Sequence, residues 1–167
     1  MPRGQRTLEA TIAWSHALLG DGECALFRRL GVFVGGFGLE LAEPYFEKWD
    51  LPAVELIDGL ASLVDLGLVR QLEANGEPRF EMPDSVNAYS RKLLVESDEE
   101  QCCRVRHAEV VLASVEECER HYCEADQDDW LRRLERDHDN VRAAIGWALD
   151  GSDGAIAVRL GAALWPF

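Results

Sequence analysis

Lysine is scarce in this sequence, and the glycine-lysine pair of a phosphate-binding loop does not occur. Lys48 and Lys92 are the two lysines among 167 residues, and neither follows a glycine. Such a loop needs a glycine-rich turn that ends in Gly-Lys-Ser/Thr, because backbone amides hold the phosphates while the lysine neutralises them. The glycine-rich segment 31–38 lacks this lysine and predicts only a tight loop. We therefore expect no ATP hydrolysis and no catalytic residue in this chain.

Long apolar runs are missing as well. No stretch approaches the roughly 20 apolar residues that a membrane helix needs, and no apolar segment with a small-residue cleavage site lies near the N-terminus. The five cysteines are an odd number and include the adjacent Cys102 and Cys103, which does not fit a disulfide framework. These features predict a cytoplasmic protein with no membrane partner.

The histidines and cysteines of the second half raise the alternative of a zinc site. Cys103 and His107 form one candidate pair, Cys118 and His121 form another, and Cys123 follows. If both pairs lie on one long helix, about 15 residues or roughly 22 Å separates them, which is too far for one ion. No C-x-x-C pair exists either. We expect no metal site and interpret the cysteines as small buried apolar residues.

Acidic residues outnumber basic ones. The chain carries 31 Asp and Glu against 17 Lys and Arg, a formal net charge of -14. A field of this sign repels nucleic-acid phosphates and anionic membranes. Direct binding to nucleic acid is therefore disfavoured.

Apolar residues recur at helical spacing along most of the chain, which predicts a mainly α protein. Four helices are expected before residue 67, the last of them starting at Pro52 and stopping at Gly67. The first helix carries a broad apolar stripe of Leu8, Ile12, Trp14, Leu18 and Leu19. The fourth is expected to pack through Leu56, Ile57, Leu60, Leu63 and Val64.

The spacing changes to alternation between residues 68 and 82. Apolar and polar residues alternate on either side of Asn75-Gly76, which is a strong signal for a two-stranded hairpin. A helix is expected directly after it, from the corner Met82-Pro83-Asp84. Pro83 restricts the chain before the helix, and Asp84 is interpreted as its N-cap, worth roughly 1 kcal/mol.

Helices followed by a hairpin and a closing helix have the outline of a winged helix. Residues 1–97 are therefore predicted to form a winged-helix-like domain with one β-hairpin wing. In DNA-reading versions, the helix before the wing needs basic or amide side chains for phosphates and base edges. Here that segment, 52–66, contains Glu55, Asp58 and Asp65 and no basic residue. Packing against another protein domain is favoured over DNA binding.

Only helices are expected in residues 98–167. The segments 99–122 and 127–149 and an Ala-rich segment after Gly154 predict antiparallel helical hairpins, like the start of a tetratricopeptide-like (TPR-like) repeat array. The last residues, 162–167, are apolar to the end of the chain. We expect this second domain to be truncated and the chain to be a fragment of a longer protein.

Five blocks of the sequence carry a family resemblance. They are RTLEATIAWSHALLGDGECALFRRLGVFVGGFGLELAE, LIDGLASLVDLGLVR, RFEMPDSVNAYSRKLL, RHAEVVLASVEE and WLRRLERDHDNVRAAIGWAL. In this order they resemble large bacterial signalling ATPases of the STAND class with an NB-ARC-like nucleotide-binding module, including LuxR-type and AfsR-like transcriptional regulators. The resemblance implies a winged helix and the first TPR-like helices directly after the ATPase module. ATP or ADP is then expected in the neighbouring module, with no cofactor in this chain.

The resemblance also gives the corner at residues 82–84 a possible role. In related proteins this corner often reads Met-His-Asp, and its histidine reaches the phosphates of bound ADP. Pro83 and Asp84 occupy that nucleotide-sensor corner here. Because proline has neither a side-chain donor nor an N–H, Pro83 cannot make the histidine's contact. We favour the capping role of Asp84 over a sensor role.

The favoured hypothesis is a regulatory and coupling segment of a signalling ATPase or transcriptional regulator. Its expected partners are its own nucleotide-binding module and the remaining helical repeats. The alternative is a free-standing helical scaffold that binds protein or peptide. Direct DNA binding by the winged helix is a third and less favoured hypothesis.

Overall fold

The computed structural model describes residues 3–74, 76–121 and 127–165. The chain is mainly helical and contains a small antiparallel sheet of three strands. It divides into two compact units, Met1–Gln101 and Cys102–Phe167, which we call unit 1 and unit 2. Within the described ranges, no helix combines the length and apolarity that crossing a membrane requires.

The described residues of unit 1 form five helices and the sheet. Their bounds are α1 Arg3–His16, α2 Asp21–Leu30, β1 Phe37–Gly38, α3 Leu39–Glu47, α4 Ala53–Asp65, β2 Arg70–Ala74, β3 Glu77–Glu81 and α5 Asp84–Glu96. The predicted end of the fourth helix is confirmed: Gly67 has φ of 69°, and the Leu68 amide donates to the Leu63 carbonyl at 2.9 Å. Glycine suits this left-handed position because it has no Cβ.

The sheet has the strand order β1-β3-β2, with both pairs antiparallel. The predicted hairpin is confirmed by the pairing of β2 with β3, while the turn residue Asn75 lies outside the described residues. The expectation that segment 31–38 is only a loop is wrong at its end, because Phe37 pairs with Phe80 and Gly38 with Arg79. A strand of two residues is too short to produce an alternating pattern.

Aromatic side chains join this short strand to the core of unit 1. The Phe37 ring lies 4.7 Å from Phe33 and 5.9 Å from Phe80 between centroids, and Phe33 lies 5.0 Å from Tyr45. Aromatic pairs at these separations add stability beyond the area they bury. The remaining side chains at the centre of the core are Phe27, Leu30, Leu41, Phe46, Leu56, Leu60 and Leu63.

The apolar stripe identified for the first helix is only partly covered by neighbouring residues. Ile12 is buried, but Leu8, Trp14 and Leu18 are exposed, with 67% of Trp14 accessible to solvent. The stripe is wider than the face that α1 packs against α5. Helical spacing identified the apolar face but could not identify which part of it a neighbour covers.

α2 and α5 approach each other closely at Gly31 and Ser90. The Ser90 hydroxyl donates to the Phe27 carbonyl at 2.7 Å, and it is fully buried. A Cβ on Gly31 would lie 2.5 Å from that hydroxyl oxygen and 3.0 Å from the Arg91 amide nitrogen. The absence of a side chain at Gly31 therefore permits this contact between the helices.

Replacing Gly31 by alanine is expected to lower the free energy of unfolding by about 1 to 2 kcal/mol, because the added methyl group overpacks the contact with Ser90. Gly22→Ala is the control in the same helix, since a Cβ there meets nothing within 4 Å. Denaturant unfolding measures the free energy of unfolding of both variants. The double variant Gly31→Ala/Ser90→Ala should lose less stability than the two single variants lose in sum. If the two losses were strictly additive, the proposed clash would be contradicted.

Unit 2 is helical throughout its described part. Its elements are α6 Glu100–His121, α7 Gln127–Arg136, α8 His138–Trp147, a kinked segment Ala148–Ser152 in which Gly151 has φ of 89°, and α9 Gly154–Ala163. The predicted single helix over 127–149 is wrong, because Asp137 departs from helical geometry with φ of -99° and ψ of 10°. Aspartate is a poor residue for a helix interior, where its side chain competes for backbone hydrogen bonds.

The core of unit 2 is formed by α6, α8 and α9. It includes Ala108, Val111, Leu112, Val115, Val141, Ala144, Trp147, Ile156, Leu160 and Ala163. Asp153 is the N-cap of α9, and its carboxylate accepts from the amides of Ala155 at 3.0 Å and Ile156 at 3.2 Å. Of the apolar end of the chain, Trp165 is 90% exposed, while residues 166 and 167 lie outside the described residues.

Candidate functional site

The corner between β3 and α5 is built by the backbone of Pro83. β3 ends at Glu81, and α5 begins at Asp84. Pro83 has φ of -53° and ψ of 145°, and its carbonyl accepts from the amides of Val86 and Asn87, both at 2.8 Å. The fixed φ of proline is compatible with the position directly before a helix. The corner therefore turns without help from a capping side chain.

The prediction that Asp84 is the N-cap is wrong. Asp84 is the first residue of α5, its side chain is exposed, and Pro83 occupies the N-cap position. A carboxylate in the first turn still interacts favourably with the positive end of the helix dipole, by about 0.3 to 1 kcal/mol. Asp84 thus contributes charge at the corner, not a capping hydrogen bond.

A glycine-rich loop lies against this corner. Gly35 and Gly36 have φ of 71° and 86°, and their carbonyls accept from the Arg79 guanidinium at 3.0 and 3.1 Å. The Asn87 side chain of α5 donates to the Phe33 carbonyl at 3.2 Å. β3 and α5 therefore both hold the loop through side-chain hydrogen bonds.

The loop and the corner enclose a pocket of 210 Å³. Its walls are Leu30, Phe33, Val34, Gly35, Gly36, Phe37, Glu81, Met82, Asp84, Asn87, Ala88 and Arg91. The ionisable residues of the lining are Glu81, Asp84 and Arg91, so this lining carries a net negative charge. We call this feature the corner pocket.

Pro83 and Asp84 lack the side-chain groups that would bind the phosphates of ADP. A phosphate site needs hydrogen-bond donors and positive charge, whereas Pro83 supplies no donor and Asp84 adds negative charge. The Arg79 guanidinium already donates to the loop carbonyls. The corner is suited to packing, and no step of nucleotide chemistry can be derived through it.

An ion-pair cluster stands at the C-terminal end of unit 1. One Glu99 oxygen accepts from Arg28 at 2.8 Å, and the other accepts from Arg29 at 2.7 Å. The Arg29 guanidinium also lies 4.9 Å from the centre of the Trp49 ring. Burial raises the pKa of Glu99, but hydrogen bonds from Arg29 and Arg28 and their positive charges outweigh it and lower the pKa to about 2. Glu99 is therefore held as a carboxylate.

The sequence alone does not predict this cluster, although it contains both Arg28-Arg29 and the acidic run at residues 98–100. Glu99 and its partners are separated by 71 and 70 residues. Asp98, directly before it, adopts φ of 59°, an uncommon value for a residue other than glycine. No local pattern predicts a pairing at this distance along the chain.

Replacing Glu99 by glutamine should lower the free energy of unfolding of unit 1 by about 1 to 2 kcal/mol, because Arg28 and Arg29 lose a charged acceptor. Since the folded pKa of Glu99 is below its ordinary value of 4.5, its stabilisation is complete above pH 4.5 and is lost as the pH falls towards 2. The variant should therefore lose less stability on acidification than the native chain in denaturant unfolding.

The control for this prediction is Glu9→Gln. Glu9 pairs with Lys92 at 3.6 Å, and both side chains are about half exposed. Exposed pairs contribute about 0.2 to 1 kcal/mol at most. An equal loss in both variants would contradict a special role for Glu99.

The residues weighed for a zinc site are separate in the structure. Cys103 and Cys118 are buried, and His107 makes a hydrogen bond of 3.1 Å to Asn140. The His121 ring stacks on Trp130 at 4.6 Å between centroids. Over the described ranges, no three His, Cys, Asp or Glu side chains lie close enough to hold a metal ion, and Cys123 falls outside those ranges.

Similar proteins occur in mycobacteria. The chain is 34% identical over 162 residues to proteins named "Putative HTH-type transcriptional regulator" in Mycobacterium tuberculosis and Mycobacterium bovis, a match that covers 97% of this chain and 18% of each relative. It is 36% identical over 106 residues to an "Uncharacterized protein" of Mycobacterium tuberculosis, covering 63% of this chain and 27% of that protein. The chain thus spans about a fifth of the length of the regulators it matches. No family model and no solved structure matches the chain.

Proposed function

We propose that this chain is a regulatory and coupling segment of a multidomain transcriptional regulator. The observation that carries the proposal is the match of nearly the whole chain to one part of much longer relatives named as regulators. A segment that fills 18% of such a protein is expected to act through the domains around it. The chain itself has no catalytic role in this proposal.

Within this proposal, unit 1 is a winged helix and unit 2 is the start of a TPR-like array. The order α4, β2, β3, α5 supports the first assignment, with β2 and β3 as the wing and β1 as a third strand. The helices α6, α8 and α9 around a common core support the second. The remaining helical repeats are then the partners of unit 2.

The proposed partner of unit 1 is a nucleotide-binding module of the STAND type, which would hold ATP or ADP and carry out hydrolysis. We assign the surface around the corner pocket to this contact. Two features support the assignment: side chains of β3 and α5 hold the glycine-rich loop against the corner, and Pro83 and Asp84 supply no side-chain donor for a phosphate. Nucleotide sensing would then reach unit 1 through protein contacts alone.

The proposal assigns DNA reading to a part of the regulator outside this chain. The exposed residues of α4 include Glu55, Asp58 and Asp65, and the helix has no basic residue. Counterion release is the main source of affinity for a duplex and requires basic side chains. If this chain bound a DNA duplex and the binding weakened steeply with added salt, the assignment of DNA reading to another region would be contradicted.

The test is a titration of the 167-residue chain with the nucleotide-binding module encoded in the same regulator, loaded with ADP or with an ATP analogue. We expect binding in one nucleotide state, and weaker binding for Asp84→Arg at the corner. Val158→Ser is the control, because Val158 is an exposed residue of unit 2. Absence of binding in both nucleotide states would overturn the proposal.

A further inference from the structure

The outer face of α4 exposes apolar side chains in a row. Val54 is 70% exposed and Ile57 is 47% exposed, and Ala61 follows one turn later and is also exposed. Residues three and four apart lie on the same face of a helix, so these three form one stripe. The inward residues Leu56, Leu60 and Leu63 are fully buried, so α4 is anchored in the core while this stripe faces solvent.

Carboxylates accompany this stripe. Glu55, Asp58 and Asp65 are all exposed, and none of them forms an ion pair within the part of the chain that the structure describes. Helical geometry places Asp58 and Asp65 beside Val54 and Ala61, with Glu55 at the edge. We define the α4 face as Val54, Glu55, Ile57, Asp58, Ala61 and Asp65.

We propose that the α4 face is a docking site for a basic amphipathic helix of a protein partner. The partner's apolar side chains would cover Val54, Ile57 and Ala61, and its lysine or arginine side chains would pair with the three carboxylates. An amphipathic helix presents both groups at the spacing of one turn, which matches a stripe on a facing helix. This inference goes beyond the proposed function, because it holds whether or not unit 1 binds a nucleotide module.

The negative charge of the α4 face favours a basic helix over other possible binding partners. A second copy of the α4 face would bring three more carboxylates into the contact, and like charges brought together there oppose association. Nucleic acid and anionic membranes are repelled for the same reason. A basic helix is the occupant that removes the apolar stripe from water and also gives each carboxylate an opposite charge.

The probe is a fluorescent helical peptide of about five turns, with leucine along one face and lysine on the other. Fluorescence anisotropy measures its binding to the full 167-residue chain. We expect Val54→Ser/Ile57→Ser and Asp58→Lys/Asp65→Lys each to weaken binding about tenfold or more, through loss of apolar contact and of charge pairing respectively. Amide chemical shifts should change along α4 when the peptide is added.

Matched variants distinguish docking from general attraction to an acidic protein. Glu43→Lys/Glu96→Lys makes the same charge change at exposed positions on α3 and α5, and Val95→Ser/Val158→Ser removes exposed apolar groups elsewhere. Neither of these double variants should change the dissociation constant of the lysine peptide by more than about twofold. A peptide with glutamate in place of lysine should not bind. Far-ultraviolet circular dichroism verifies that all variants keep the native helix content.

Three results would overturn the proposal. The first is an equal loss of binding for the charge reversals on and off α4, which would indicate non-specific attraction to the net charge of -14. The second is equal binding of the lysine and glutamate peptides. The third is unchanged binding in Val54→Ser/Ile57→Ser.

Discussion

Replacing Gly36 by alanine is expected to lower the free energy of unfolding of unit 1 by about 2 to 4 kcal/mol. Gly36 adopts φ of 86°, which strains any residue with a Cβ. An added Cβ would also lie 2.8 Å from the Phe80 carbonyl oxygen, and a backbone atom of a paired strand cannot move aside easily. Both effects act where the glycine-rich loop meets β3.

Gly67→Ala separates these two effects. Gly67 has φ of 69°, but a Cβ there meets nothing within 4 Å. In this control, the free energy of unfolding should fall only by the conformational strain, about 1 to 2 kcal/mol. Denaturant unfolding gives the free energies, and hydrogen exchange of β3 and α5 amides locates the loss in unit 1. If both variants lose the same stability, the close approach to Phe80 has no energetic role.

Acidification from about pH 7 to pH 4 should destabilise unit 2 by about 3 kcal/mol through His107 alone. Burial lowers the pKa of His107 from 6.5 to about 4, although its hydrogen bond with Asn140 acts in the opposite direction. Between these two pH values, His107 is therefore protonated in the unfolded chain and neutral in the folded chain. The stabilisation is complete above pH 6.5 and is lost as the pH falls towards 4.

The control for this prediction is His107→Gln, which keeps a side-chain donor for Asn140 and does not titrate. The native chain should lose more stability than this variant over the same pH range in guanidinium unfolding. The nuclear magnetic resonance titration of the His107 ring should give a pKa well below the ordinary histidine value of 6.5. A His107 pKa near 6.5, or equal losses in both proteins, would contradict the prediction.

The elements that the sequence predicted correctly have local signals. α4 has buried leucines at helical spacing and a glycine directly after its last turn, and the hairpin has alternating residues around Asn75-Gly76. Each of these signals lies within about 15 residues, so interactions close along the chain determine them. The position of the corner at residues 82–84 was predictable for the same reason.

The features that the sequence did not predict depend on distant partners. The strand at Phe37 forms because it pairs with Phe80 of β3. Glu99 is held in place by Arg28, which precedes it by 71 residues in the sequence. Ser90, a polar residue, is buried on the inner face of α5 because the Phe27 carbonyl accepts its hydroxyl hydrogen bond. The wrong assignment of Asp84 had a different cause: the backbone geometry of Pro83 already completed the turn.

The Glu99 cluster determines how unit 1 would carry a mechanical load. Ser97 and Asp98 connect α5 to Glu99 through the covalent chain, while Arg28 and Arg29 hold Glu99 to the last turn of α2. A pull on the chain after Glu99 would therefore be shared between two helices, one reached through peptide bonds and the other through three charged hydrogen bonds. In Glu99→Gln the side chain keeps one uncharged acceptor oxygen, so a smaller share of the same pull would reach α2.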